Sequence, residues 1–103
     1  MTLSDIKALA VSIDQNARHY FSESTGEDYT YWEETQRLGR LANDSHEEAW
    51  AFYIHRFTKD EDDTVAAAIF AALDADPRVT VSHTTDYEAD SGYIHHIFQC
   101  EGY

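Results

Sequence analysis

A single cysteine, Cys100, leaves no partner for an internal disulfide and no set of thiolates for a metal, which points to a reducing cytosol. Proline occurs once, at Pro77, and the four glycines are scattered, so the chain has neither a proline-rich linker nor a glycine-rich phosphate loop. No apolar run approaches the roughly 18 residues of a membrane span. The opening MTLSDIKALAVSIDQ carries Asp5 and Asp14 inside its apolar stretch and has no basic start, unlike a signal peptide. A soluble cytoplasmic protein is expected, in the cytoplasm of a host cell if a phage encodes it.

Positive charge is scarce. Seven Lys and Arg face twenty Asp and Glu, for a net charge of −13, and only Lys7 and Lys59 are lysines. Such a balance repels nucleic acid and anionic membranes and attracts basic partners. It also lowers stability by self-repulsion, which counterions, a cation or a basic partner would offset.

Apolar material is plentiful: of 103 residues, 43% are hydrophobic and 14% aromatic, enough for one real core and too much for disorder. One domain over residues 1–103 is expected. Leu3, Ile6, Leu9, Ala10, Ile13, Ala17 and Tyr20 recur at helical spacing behind a Thr2 cap, predicting a helix over 3–20. Ser22 to Asp28 reads as a polar loop. For 31–42, the spacing of Tyr31, Thr35, Leu38 and Leu41 favours a helix, although YTYW alternates like a strand.

Residues 49–57 alternate: Trp50, Phe52 and Ile54 face one way, Tyr53, His55 and Phe57 the other, as in a strand with one buried face. A second helix over 62–75 carries Val65, Ile69, Ala72 and Leu73 on its inner stripe and stops before Pro77. RVTVSHTTDY and YIHHIFQC form two strands joined by the turn Glu88 to Gly92, which sets Tyr87 opposite Tyr93 and Thr85 opposite His95. The whole is an α+β fold: an N-terminal helix, then β-α-β-β, a small antiparallel or mixed sheet of about three strands with helices on one face.

Catalytic and metal patterns are weak. In that register His83 and His95 share a face, but no third ligand accompanies them, and His55 and His96 read as ordinary strand histidines. Asp86, Glu88 and Asp90 alternate like the start of a calcium loop. Ser91 and Ile97 then stand where that loop needs glycine and glutamate, so this is an acidic hairpin turn. Cys100 has only His96 nearby and nothing marks an oxyanion hole. The adjacent pairs Glu33–Glu34 and Glu47–Glu48 project apart rather than converge. No enzymatic activity, metal or cofactor is expected.

What remains is the placement of the acids. Asp60, Glu61, Asp62 and Asp63 precede the second helix, and Asp74 and Asp76 close it. Asp86, Glu88 and Asp90 occupy the hairpin turn, and Glu23, Glu27, Asp28, Glu33 and Glu34 form a further cluster. Arg37, Arg40, Arg56 and Lys59 lie between these clusters. Thirteen net charges match roughly 22 Å of duplex, at about one charge per 1.7 Å of axis. Small size, uncompensated charge and no catalytic motif are also the profile of phage-encoded anti-restriction and anti-CRISPR proteins, a likeness that no motif carries. The expectation is an acidic inhibitor whose carboxylates replace phosphates in the basic groove of a nucleic-acid-binding protein, with Trp32, Tyr29 or Tyr31 as aromatic anchors. The contrasting expectation is a non-catalytic acidic subunit or metal or small-molecule binder, with a sheet face open to homodimer formation.

Overall fold

A computed structural model describes residues 1–20, 27–39 and 48–103. The loop over 22–26, residues 40–42 of the expected helix, and Glu23, Arg40 and Glu47 lie outside the described residues.

Thr2 opens α1 (Leu3–Ile13) with a capping box: its hydroxyl accepts from the Asp5 amide at 3.1 Å, and the Asp5 carboxylate accepts from the Thr2 amide at 2.8 Å. The helix stops earlier than its apolar spacing implies. The Asp14 side chain accepts from the Asn16 amide at 2.9 Å, a local bond that competes with helix continuation. Arg18 and His19 are then free to form a short strand, β1 (Arg18–His19). Thr2→Ala is expected to cost about 1 kcal/mol, read as a lowered thermal midpoint that Thr2→Ser leaves in place.

The segment expected as a helix over 31–42 is instead a strand, β2 (Tyr29–Arg37). Its aromatic and β-branched residues find cross-strand partners, with Tyr29 opposite Phe57 and Tyr31 opposite His55, and those pairings outweigh the helical spacing. β3 (Trp50–Thr58), α2 (Thr64–Ala75), β4 (Val79–Glu88) and β5 (Tyr93–Gly102) follow, giving the β-α-β-β order. The sheet therefore has five strands rather than about three, in the order β1-β2-β3-β5-β4. It is mixed, because β1 runs parallel to β2 while every other pair is antiparallel.

Both helices cover one face. Ile6 and Ala10 of α1 and Ala66, Ile69 and Leu73 of α2 meet Trp32, Phe52, Ile54, Phe98 and Cys100 in one buried cluster. Residues of the opposite parity line the other face, which neither helix covers.

The hairpin register is shifted by one residue from expectation. Glu88 pairs with Tyr93 across a four-residue turn closed by Gly92 at φ +77°, so Thr85 faces His96 and His83 faces Phe98. A slip of one residue exchanges faces. His83 and His95 thus lie on opposite sides of the sheet. Among the described residues no helix is long and apolar enough to cross a membrane.

Candidate interaction surface

The register brings three separate stretches to one end of the sheet. β2 begins there with Tyr29 beside Phe57, β3 ends there with Thr58 beside Ile94, and the β4–β5 turn closes there between Glu88 and Tyr93. Glu27 and Asp28, Asp60 to Asp63, and Glu88 and Asp90 therefore share that end, with Asp86 two positions behind. Asp74 and Asp76 lie at the far end of α2.

At the heart of the acidic end sits a cation that the charge count conceals. Arg56 points into the helix-covered face and is 6% exposed. Asp63 grips it in two bonds, Nε to Oδ2 at 2.8 Å and Nη2 to Oδ1 at 3.1 Å, and Nη1 donates to Thr30 at 3.3 Å. Asp14 and Asp28 approach the guanidinium at 3.8 Å each. Burial alone would raise the Asp63 pKa; the Arg56 bonds and the Ala66 amide, which the same carboxylate caps at 2.9 Å, outweigh it and hold the group below the usual range. Asp28 also accepts from the Thr58 hydroxyl at 2.9 Å and the Lys59 amide at 3.1 Å.

Other expected contact residues are likewise engaged within the molecule. Trp32 is 2% exposed, stacked at 3.8 Å on His19 and part of the core, which corrects its reading as a surface anchor. It lies on the helix-facing parity of β2, whereas Tyr29 and Tyr31 face the open side, half-buried. Glu34 accepts from Tyr20 and meets His19 at 2.6 Å, and Asp76 holds Arg78 at 2.8 Å. Glu33 turns to the open face and meets His55 Nε2 at 3.3 Å. Adjacent Glu33 and Glu34 thus do diverge to opposite faces.

Seven carboxylates remain at the acidic end: Glu27, Asp60, Glu61, Asp62, Asp86, Glu88 and Asp90, all exposed except the half-buried Glu88. None forms an ion pair among the described residues. Asp60 accepts from the Asp62 amide at 2.9 Å, and Glu88 from the Ser91 hydroxyl at 3.2 Å. The neighbouring ammonium of Lys59 rests 4.9 Å from the Tyr93 ring centre.

The histidines pair in an order the sequence did not reveal. His55 Nδ1 lies 2.8 Å from His95 Nε2 on the open face, and His83 Nε2 lies 2.9 Å from His96 Nδ1 beneath α2. No group of three or more His, Cys, Asp or Glu among the described residues is placed to hold a metal. Cys100 is buried, and burial pushes its thiol up to about 12, so it stays protonated. Arg56 was the residue that sequence reasoning missed. Continuing the Trp50, Phe52, Ile54 alternation by one step would have placed it inside.

The fold is thus a mixed-sheet α+β domain with one acidic end and one aromatic open face. No protein-family model and no curated protein sequence matches the chain. Among solved structures it is similar to a chain of the structure described as "Virion of native gene transfer agent (GTA) particle", at 15% identity and a TM-score of 0.47, over 97% of this chain and 86% of that one.

Proposed function

We propose that the protein is a small acidic binding protein that blocks the basic nucleic-acid-binding groove of a partner, in the manner of anti-restriction or anti-CRISPR inhibitors. It works in the cytoplasm, without catalysis, metal or cofactor. The observation that carries this reading is the gathering of seven carboxylates, from three separate stretches of sequence, at one end of the sheet. Lys59 and the caged Arg56 are the cations among those stretches. Seven charges match about 12 Å of duplex axis, roughly a third of a turn. The interface is accordingly a patch of phosphate-like carboxylates set against a cluster of Lys and Arg rather than a copy of a full helical turn.

Asp63 is excluded from the patch because it caps α2 and holds Arg56, so a test must leave it intact. The variant D60N/E61Q/D62N is expected to keep its thermal midpoint and to inhibit on the order of tenfold less well, since opposed surface charge sets encounter and register. The assay is DNA binding by restriction and guided nucleases at low salt, with inhibition fading as salt rises. Full DNA binding at low salt in the presence of the wild-type protein, together with stability that climbs steeply in molar salt, would instead identify a salt-adapted surface.

A further inference from the structure

The open face of the sheet is ordered in rows that cross four strands. Asp86, His95, Phe57 and Tyr29 form one row, Thr84, Ile97, His55 and Tyr31 the next, and Ser82, Gln99, Tyr53 and Glu33 a third. In the first row Phe57 stacks between Tyr29 at 4.7 Å and His95 at 4.0 Å, while Tyr93 meets Phe57 edge-on at 5.9 Å. In the second, Tyr31 stacks on His55 at 4.4 Å. In the third, Tyr53 is half-buried beside Glu33 and lies tilted 32° to His55, outside any parallel stack. Carboxylates stand at both margins, Asp86 and Glu88 on β4 and Glu33 on β2. The open-face positions of β2 to β5 carry no lysine or arginine.

Charge decides what such a face accepts. A second copy brings the same net charge of −13, and nucleic acid brings phosphates, so both are repelled. Phe57, His55 and Tyr93 are buried within their stacks, so a cation is favoured at Tyr53, by its ring face and by the Glu33 carboxylate beside it. The chain already shows one instance: the Lys59 ammonium lies over Tyr93 at the edge of this surface. A planar guanidinium suits the remainder better than an ammonium, because it stacks on a ring while donating to a carboxylate beside it.

We propose that the open sheet face is the docking surface for an arginine-bearing segment of the basic partner, with a guanidinium plane against Tyr53 and its N–H groups directed to Glu33, which stands opposite Tyr53 on β2. This deepens the proposed function and rests on it. The acidic end attracts the partner, and the adjoining aromatic face selects arginine over lysine.

The test uses poly-arginine and poly-lysine peptides of equal length, titrated into the whole protein and followed by NMR. The arginine peptide is expected to bind at least about threefold tighter, with the preference persisting as salt rises and with the ring signals of Tyr53 shifting. Tyr53→Leu should lower arginine-peptide affinity about three- to tenfold and remove most of the preference. If Tyr53→Leu fails to fold, the ring shifts in the wild-type protein decide the matter. Equal affinity for both peptides, with shifts confined to Asp60 to Asp62 and Asp90, overturns the arginine surface and leaves the charge-based reading standing. Absence of binding by either peptide at low salt removes both.

Discussion

Arg56→Met is expected to destabilise the protein by about 3–5 kcal/mol, the usual cost of removing one partner from a buried ion pair. For a domain of this size that lowers the thermal midpoint by at least about 12 °C. Methionine fills much of the aliphatic space of arginine, so the loss comes mainly from charge. Asp63, whose side chain is 8% exposed, loses its bidentate partner, and Asp14 and Asp28 lose the cation that lies 3.8 Å from each. Three carboxylates then converge without compensation in a protein already carrying −13. Asp63→Asn separates the roles, since the amide oxygen still caps α2 while the ion pair is gone. Combining Arg56→Met with Asp63→Asn should cost less than the sum of the two single changes, because the second removes a charge stranded by the first. Additive losses in denaturant unfolding would show that the pair is not coupled. Amides at Asp60, Glu61 and Asp62, by contrast, should leave stability unchanged, because those residues hold no buried partner.

Acidification is expected to destabilise the protein in two separated stages. Burial is the first cause that depresses His55, His95, His83 and His96 below the ordinary histidine value. Pairing adds to it. His55 Nδ1 and His95 Nε2 lie 2.8 Å apart, so protonating both rings would set N–H against N–H between two positive charges. Glu33 opposes the depression at His55, as do Asp86 and Glu88 at His95. Under α2, Asp63 opposes it at His96 while Arg56 reinforces it.

A depressed folded-state histidine means that the unfolded chain binds more protons once the pH drops below about 6.5, so stability falls with pH in that window. Each such residue contributes at most about 1.4 kcal/mol per pH unit, and His83, being exposed, contributes less through solvent screening. The second stage belongs to Asp63, Asp76 and Glu34, which partner groups hold below the ordinary carboxylate range. Their stabilisation is present above about pH 4 and lost below it. Thermal midpoints measured across the pH range should therefore fall first between about pH 6.5 and 5 and again below about pH 4. The double variant His55→Gln, His95→Gln should flatten the first fall and leave the second. An unchanged first fall in that variant would assign it to other groups.

Much of this molecule is written locally. Period-two aromatics define β3, the inner stripe and Pro77 bound α2, and Thr2 with Asp5 opens α1, because each signal depends on neighbours a few residues away. The surplus of carboxylates is equally legible, since counting needs no geometry. At β2 the local signal misleads, because Tyr31, Thr35, Leu38 and Leu41 satisfy a helical period, and only pairing with β3, about twenty residues on, makes the strand the better solution. A turn of four residues rather than five moved the hairpin by one position, and that single step decided which histidines meet.

The surface charge follows the same distinction between number and position. Asp28 and Asp63 look like surface acids in sequence and are consumed by Arg56. Trp32 looks like an anchor and belongs to the core, while Glu27, Asp60 to Asp62 and the hairpin acids are brought together only by the sheet. Charge is additive along a chain, whereas pairing and alignment depend on which strands lie side by side. Composition and local patterning could therefore establish an acidic chain that mixes helices and strands. Only the folded sheet determined which carboxylates stay outside ion pairs among the described residues, and that an aromatic face stands beside them.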